Sequence, residues 1–264
     1  VICEKPIAGS LAEIDRLIAA AEKSPCKVMP IFQYRYGTGY QKALKIVRDG
    51  LAGAPYAATV ETHWRRLADY YAVPWRGKFE TELGGVLVAH AIHIHDLLVG
   101  LMGPVKSVSA HLGTRINSIE VEDSVAASLE MVSGALVTLS ASLGSSTQIS
   151  RIRAMFEHVE FESALEPYSP GDDPWAIRAP DEAGQARVDA ALKDFGETPR
   201  RFLGQMIDFY AALESGGEPP VTLADARASL ELITALYHSH DTGQRVALPL
   251  GPDHPRYRNW RPSP

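Results

Sequence analysis

Gly84-Gly85-Val86-Leu87-Val88-Ala89-His90-Ala91-Ile92-His93-Ile94-His95-Asp96 divides the chain. Before it, strand and helix patterns alternate. After it, strands follow one another across short turns. The stretch opens on two glycines and runs through Leu97-Leu98-Val99-Gly100-Leu101-Met102 to Gly103, so it reads as a helix started and stopped by glycine. Residues three and four apart share a helix face. His90, His93 and Asp96 then lie on one arc, with Ala89 one turn before His93. His95 is about 200° from His93 and points away.

Toward the N-terminus, Val1-Ile2-Cys3 reads as a buried strand already under way, followed by Glu4-Lys5-Pro6. Ser10 with Glu13 forms a capping box for a helix whose stripe is Leu11, Ile14, Leu17, Ile18 and Ala21. Lys27 to Phe32 reads as a second strand. Residues 1–32 thus form a strand–helix–strand repeat of a parallel sheet. Two strands make no stable sheet, so further strands are expected from chain preceding Val1. Thr38 to Arg48 reads as a helix and Tyr56 to Arg66 as a strand with Tyr56, Ala58, Val60, Thr62 and Trp64 on one face. Residues 67–83 form an irregular loop, of a length that is often functional.

Toward the C-terminus, Val105–Leu112, Ser124–Val132, Ala135–Leu143 and Ile149–Phe161 read as strands of an antiparallel or mixed sheet. Residues 164–184 read as loop. Thr198 is expected to cap a helix and Thr222 another that stops at Gly243; Arg245–Leu250 closes as a short strand. The fold class is α/β.

The 264 residues are 45% hydrophobic and 22% charged, with a net charge of -6. That is globular composition without a basic run, which argues against nucleic acid as partner. No apolar run reaches the ~18 residues of a membrane span. Cys3 and Cys26 are too few for a disulfide framework and read as buried free thiols of a cytoplasmic protein.

Four constellations carry chemistry. Lys5 follows a strand, where α/β sheets bind ligands, and can hydrogen-bond a substrate oxygen or steady an alkoxide; a solvated loop lysine is the bland alternative. His93 suits general acid–base work, with Asp96 to orient its ring. His90 and His93 could instead bind a metal, with His63 or His111 completing the set, or His90 and His95 could merely pack. Trp75-Arg76 suits a planar or phosphorylated ligand; otherwise Trp75 is buried and Arg76 pairs with Glu80 or Glu82. Gln33-Tyr34-Arg35-Tyr36 shares the crevice position of Lys5, or is an aromatic strand end. No glycine-rich fingerprint, phosphate loop or nucleophile elbow is present.

In order, Glu4-Lys5-Pro6, Tyr34-Arg35, Trp75-Arg76 before Gly84-Gly85, Ile92-His93-x-x-Asp96 and Gly103-Pro104-Val105 resemble the Gfo/Idh/MocA family of NAD(P)-dependent oxidoreductases. Gly204-Gln205-Met206-x-Asp208-Phe209 and Gly243-Gln244-Arg245-Val246 extend the likeness. The resemblance implies hydride transfer between NAD or NADP and a sugar, polyol or related compound. It makes Lys5 and His93 catalytic. It places Glu4, Lys5, Pro6, Arg35, Trp75 and Arg76 at the cofactor and Tyr34, His90, His93 and Asp96 at the substrate, with no metal. It also implies the end of a Rossmann-type parallel sheet in residues 1–36, then an α/β domain in 37–264 with a large, mostly antiparallel, open-faced sheet. The first part of the Rossmann domain would lie before Val1, and a homo-oligomer, dimer or tetramer, would form through the open sheet. Many members have Asp four residues before the histidine; here it is Ala89, and the third glycine of the usual run is Val86. Two other readings stand beside this one: a non-catalytic sugar-binding or oligomerising relic, and a metal-dependent hydrolase using His90 and His93.

Overall fold

A computed structural model describes residues 1–196 and 198–261. Ile2–Cys3 (β1) pairs in parallel with Met29–Pro30 (β2), and Leu11–Ala21 (α1) crosses between them. The Ser10 hydroxyl accepts from the Glu13 amide at 3.2 Å. Glu13 reaches back to the Gly9 amide at 2.7 Å rather than to Ser10, so the expected box is half formed.

The second strand is shorter than its apolar run. Buried Gln205 takes the place of a neighbouring strand: its amide donates to the Pro30 carbonyl at 2.7 Å and accepts from the Phe32 amide at 3.2 Å. The chain then winds into a 3-10 turn, Gln33–Tyr36, not an aromatic strand end. That turn buries Tyr34 and Tyr36.

Thr38–Arg48 (α2) leads to Pro55–Arg65 (β3). The loop after it contains two single-turn helices, Ala68–Tyr71 (α3) and Phe79–Glu82 (α4). The central helix (α5) is a widened π turn, Leu87–Ala91, continuing as α-helix over Ile92–Met102. Next come Val105–Gly113 (β4), Ser124–Met131 (β5), Leu136–Ser142 (β6), Gly144–Phe156 (β7), Glu160–Glu162 (β8) and Ala176–Arg178 (β9). Glu182–Leu192 (α6), Arg201–Ser215 (α7), Leu223–Thr242 (α8) and Val246–Ala247 (β10) complete the chain.

The eight-stranded sheet runs β10-β4-β5-β6-β3-β7-β8-β9. Its pairs are antiparallel except β3 with β6. Alternation along the strands sorts the two faces. Ala58, Val60, Thr62 and Trp64 of β3 and Val137, Leu139 and Ala141 of β6 turn inward and are buried. Helices α5 and α8 pack against strands of this sheet. Ser109, Ser128 and Thr138 point the other way and are exposed. The sheet is therefore open-faced.

Helix α5 is surrounded by protein, not merely covered on one side. Leu87, Ile92, Ile94, Leu97, Leu98, Leu101 and Met102 are all buried. Each such side chain contributes roughly 1.5–3 kcal/mol of hydrophobic stabilisation. Together Phe79–Met102 is long and apolar enough to cross a membrane, contrary to the count of apolar runs, but 83% of its apolar window is packed inside the protein. Its start is fixed by Glu122, whose carboxylate accepts from the Gly85 and Leu87 amides at 2.9 Å each and from the Tyr237 hydroxyl. A Cβ on Gly85 would come within 1.7 Å of the Glu122 carbonyl oxygen, so only glycine allows this approach.

Several local expectations are corrected. Thr198 does not cap α7, which begins at Arg201 with Arg200 before it; the Thr198 hydroxyl is buried without a hydrogen-bond partner among the described residues. Residues 164–184 contain β9 and the start of α6, which Asp181 caps through the Gly184 amide at 2.6 Å. Cys3 is half-buried and Cys26 exposed, and both are free. His95 does leave the arc of His93, but inward: it is 1% exposed, and neither ring nitrogen has a hydrogen-bond partner among the described residues.

Burial pushes the His95 imidazole down from 6.5 to about 3. A depressed pKa stabilises the fold above the unfolded value and loses that contribution as pH falls toward the folded one. Between about pH 6.5 and 3, His95 therefore removes about 1.4 kcal/mol per pH unit. Chemical denaturation from pH 7 to 5 should show a shallower loss of stability in His95→Gln than in the parent protein; equal slopes would contradict the assignment.

Candidate active site

Lys5 lies just beyond β1, and the Lys5-Pro6 peptide is cis. Its ammonium donates to the Ala89 carbonyl at 2.7 Å, joining the end of the small sheet to the widened turn of α5. Burial pushes the ammonium down from 10.5 to about 8, against the pull of Glu4 and Glu82. Lys5 is thus charged at neutral pH yet close to releasing its proton.

His93 stands beside it. The ring is 6% exposed, 4.6 Å from the Tyr34 ring and 6.0 Å from Phe32. Burial first, then the charges of Lys5, His90 and Arg201, hold its imidazole well below 6.5. It is therefore neutral at pH 7. Burial also pushes the Tyr34 hydroxyl up to about 12, which keeps it a hydrogen-bond donor.

His90 belongs to the same site, although a uniform helix places it about 100° from Ala89. The π turn over Leu87–Ala91 breaks that uniform count. His90 is 7% exposed and packs on Trp64 at 4.8 Å and Tyr70 at 5.9 Å. Burial, then Arg66, Lys5 and Arg76, hold its imidazole well below 6.5. Its Nε2 is buried without a hydrogen-bond partner among the described residues.

The loop before α5 closes on these residues. The Arg76 guanidinium lies 3.8 Å from the Tyr70 ring centre and 4.3 Å from that of Trp75. It pairs with Glu82 at 3.3 Å and bonds the Tyr70 hydroxyl. Trp75 is 47% exposed, not buried, and offers a flat apolar surface.

Arg35 and Asp96 do not take their expected places. Asp96 is 2% exposed and does not orient His93. Its two oxygens accept from Arg35 at 2.7 and 2.5 Å, and Asp225 stands 3.1 Å from the same guanidinium. Burial pushes the Asp96 carboxyl up while Arg35 draws it down. The trio ties the 3-10 turn to α5 and α8, so Arg35 is committed to carboxylates rather than to a cofactor, and Asp96 to Arg35 rather than to a substrate.

A metal centre gains no support. No group of three or more metal-ligating side chains occurs among the described residues. His63 bonds Ser140 at 2.9 Å and His111 is exposed, both on the open face of the sheet. Neither can complete a set with His90 and His93.

Arg66, directly after β3, and Tyr168 pack around Trp64 beside His90; neither was singled out from the sequence.

Residues 40–162 match the model of the GFO/IDH/MocA C-terminal domain. The chain is 27% identical over 272 residues to D-apiose dehydrogenase of Paraburkholderia graminis, covering 94% of this chain and 66% of that protein. It is 26% identical to D-glucoside 3-dehydrogenase of Escherichia coli, over 94% of this chain and 72% of the relative. Among solved structures it is similar to the WlbA dehydrogenase of Bordetella pertussis in complex with NADH and UDP-GlcNAcA. The identity there is 27% and the TM-score 0.80, over 95% of this chain and 73% of that one.

The Arg35–Asp96 pair yields a stability test. Arg35→Met leaves a buried carboxylate unpaired and should lower stability by about 3–5 kcal/mol in urea unfolding. Adding Asp96→Leu should recover much of that loss. A single substitution within about 0.5 kcal/mol of the parent would contradict the role given to the pair.

Proposed function

From the match of residues 40–162 to the GFO/IDH/MocA C-terminal domain, we propose that the chain belongs to that family and serves a nicotinamide-dependent oxidoreductase acting on a hydroxyl-bearing carbon of a sugar-like substrate. The observation that carries this reading is the junction of Lys5 with the helix bearing His90 and His93: a half-buried ammonium beside neutral, buried imidazoles. Nicotinamide chemistry needs that positioning more than it needs a protein nucleophile.

The residues present fit such a cofactor. Glu4, Lys5 and Pro6 end a strand of a parallel pair, where α/β folds bind dinucleotides. Exposed Trp75 with Arg76 stacked on it offers a flat surface and a cation. These five residues would hold the cofactor, and Arg35 would not. When bound, the nicotinamide gives or accepts the hydride.

The protein groups handle the proton. In oxidation, His93 takes the hydroxyl proton, since its imidazole is uncharged at neutral pH. Lys5 hydrogen-bonds the same oxygen and stabilises the charge that develops there. The Tyr34 ring packs on the His93 imidazole and holds its orientation. With Ala89 in place of a carboxylate, the backbone carbonyl at that position serves to aim Lys5 instead. The open sheet face packs against a second copy of the chain. We place no chemistry on that face.

Protein expressed from its complete natural gene should quench or enhance NADH or NADPH fluorescence with saturable binding. Oxidised cofactor should then be reduced on addition of an aldose or polyol. A folded protein that binds neither cofactor would overturn the proposal.

A further inference from the structure

We propose that the substrate carries an anionic group, a carboxylate or phosphate on the sugar, and that Arg66 recognises it. This rests on the oxidoreductase reading above.

Arg66 differs from most of the partly buried arginines in how its charge is matched. Arg35, Arg76, Arg151, Arg227 and Arg256 each hold a carboxylate; Arg201 and Arg261 hold none among the described residues, but neither lines the cleft beside Arg66. Arg66 has only neutral hydrogen-bond partners among the described residues. Its Nη1 donates to the Arg65 carbonyl at 2.8 Å and to Gln148 Oε1 at 2.9 Å, and its Nη2 to the Tyr168 hydroxyl at 3.0 Å. Its Nε is buried without a hydrogen-bond partner among the described residues. Asp69 lies on the same cleft but is exposed and forms no ion pair with it.

Three aromatic rings surround the guanidinium. Its central carbon is 5.0 Å from Trp64, 5.1 Å from Tyr70 and 5.8 Å from Tyr168. Trp64 and Tyr70 also flank His90, so Arg66 stands one ring away from the histidine next to Lys5. Arg66 is the foremost of the charges that hold the His90 imidazole down. A cleft of about 460 Å³ opens beside it, lined by Arg66, Tyr70 and Gln148 with Arg65, Leu67 and Asp69.

The charges around the reacting position do not balance. Arg76 is matched by Glu82. Lys5 feels Glu4 and Glu82. Arg201 adds a positive charge felt by His93 and Tyr34, and Arg66 adds another at the cleft, in a chain whose net charge is -6. A partly desolvated cation without a counter-ion is costly, and an incoming anion offsets that cost. The planar guanidinium also matches a carboxylate or phosphate in geometry, while Tyr70, which lines the cleft, and exposed Tyr168 offer apolar faces to a sugar ring. A neutral sugar would gain the rings but leave the charge unmatched.

The cofactor is the other source of phosphate, and the experiment separates the two. Protein from the complete natural gene, with its preferred oxidised cofactor, is offered matched pairs: D-glucose with D-glucuronate, D-galactose with D-galacturonate, D-glucose with D-glucose 6-phosphate. Within at least one pair the anionic member should have a kcat/KM about tenfold or more above the neutral one. Arg66→Gln should bring that ratio close to one through KM, Arg66→Lys should keep part of it, and NADH affinity should not change in either. Should Arg66→Gln not fold, Tyr168→Phe, which removes an exposed hydroxyl, should lower the same ratio severalfold. Equal or better use of neutral sugars, an unchanged ratio in the variants, or a loss of NADH affinity in place of the KM effect would overturn the inference alone. No oxidation of any sugar would overturn the oxidoreductase reading and this inference with it.

Discussion

An ammonium 84 residues away from its acceptor sets the geometry of the site. Lys5 Nζ meets the Ala89 carbonyl at 2.7 Å. That bond crosses from the end of β1 to the one widened turn in the central helix. It directs the lysine toward His90 and His93, and the same burial that shapes the site draws its pKa to about 8. Widened turns recur at functional sites because they change which side chains share a face without ending the helix.

The surrounding structure holds that turn in place. Glu122 binds the amides at its entry, and the Tyr237 hydroxyl from α8 completes the carboxylate's shell. Gly85 makes the approach possible, since no Cβ fits there. Trp260, 1% exposed, donates to the Leu83 carbonyl at 2.8 Å, so the C-terminal segment fastens the residue just before Gly84. On the far side, Asp96 anchors α5 to Arg35 and thereby to the 3-10 turn that carries Tyr34. Four segments distant in sequence thus converge on one helix and its entry.

Much of this was legible because it is local. Ser10 and Thr222 show their helix starts by spacing alone, and β3 shows its buried face by alternation. The order of Glu-Lys-Pro, Trp-Arg and the histidine helix pointed to the family. What stayed hidden depends on pairings across the chain. Gln205 standing in for a strand, and Arg35 taking the Asp96 carboxylate, leave no periodic trace. His95 was placed off the arc correctly, but a count of degrees cannot distinguish solvent from core. Of the two readings of Trp75, buried anchor or ligand surface, the exposed side chain departs from the first.

The central claim, that the Lys5 ammonium works at the reacting oxygen, is tested most directly by the pH dependence of kcat/KM for sugar oxidation. A charged donor is present below its pKa and lost above it, so the rate constant should fall on the alkaline side with an apparent pKa of about 8. Lys5→Arg stays charged and should lose that limb even where its rate is lower, and Lys5→Met should lose nearly all activity. An alkaline limb unchanged in Lys5→Arg, or an active Lys5→Met, would contradict the account.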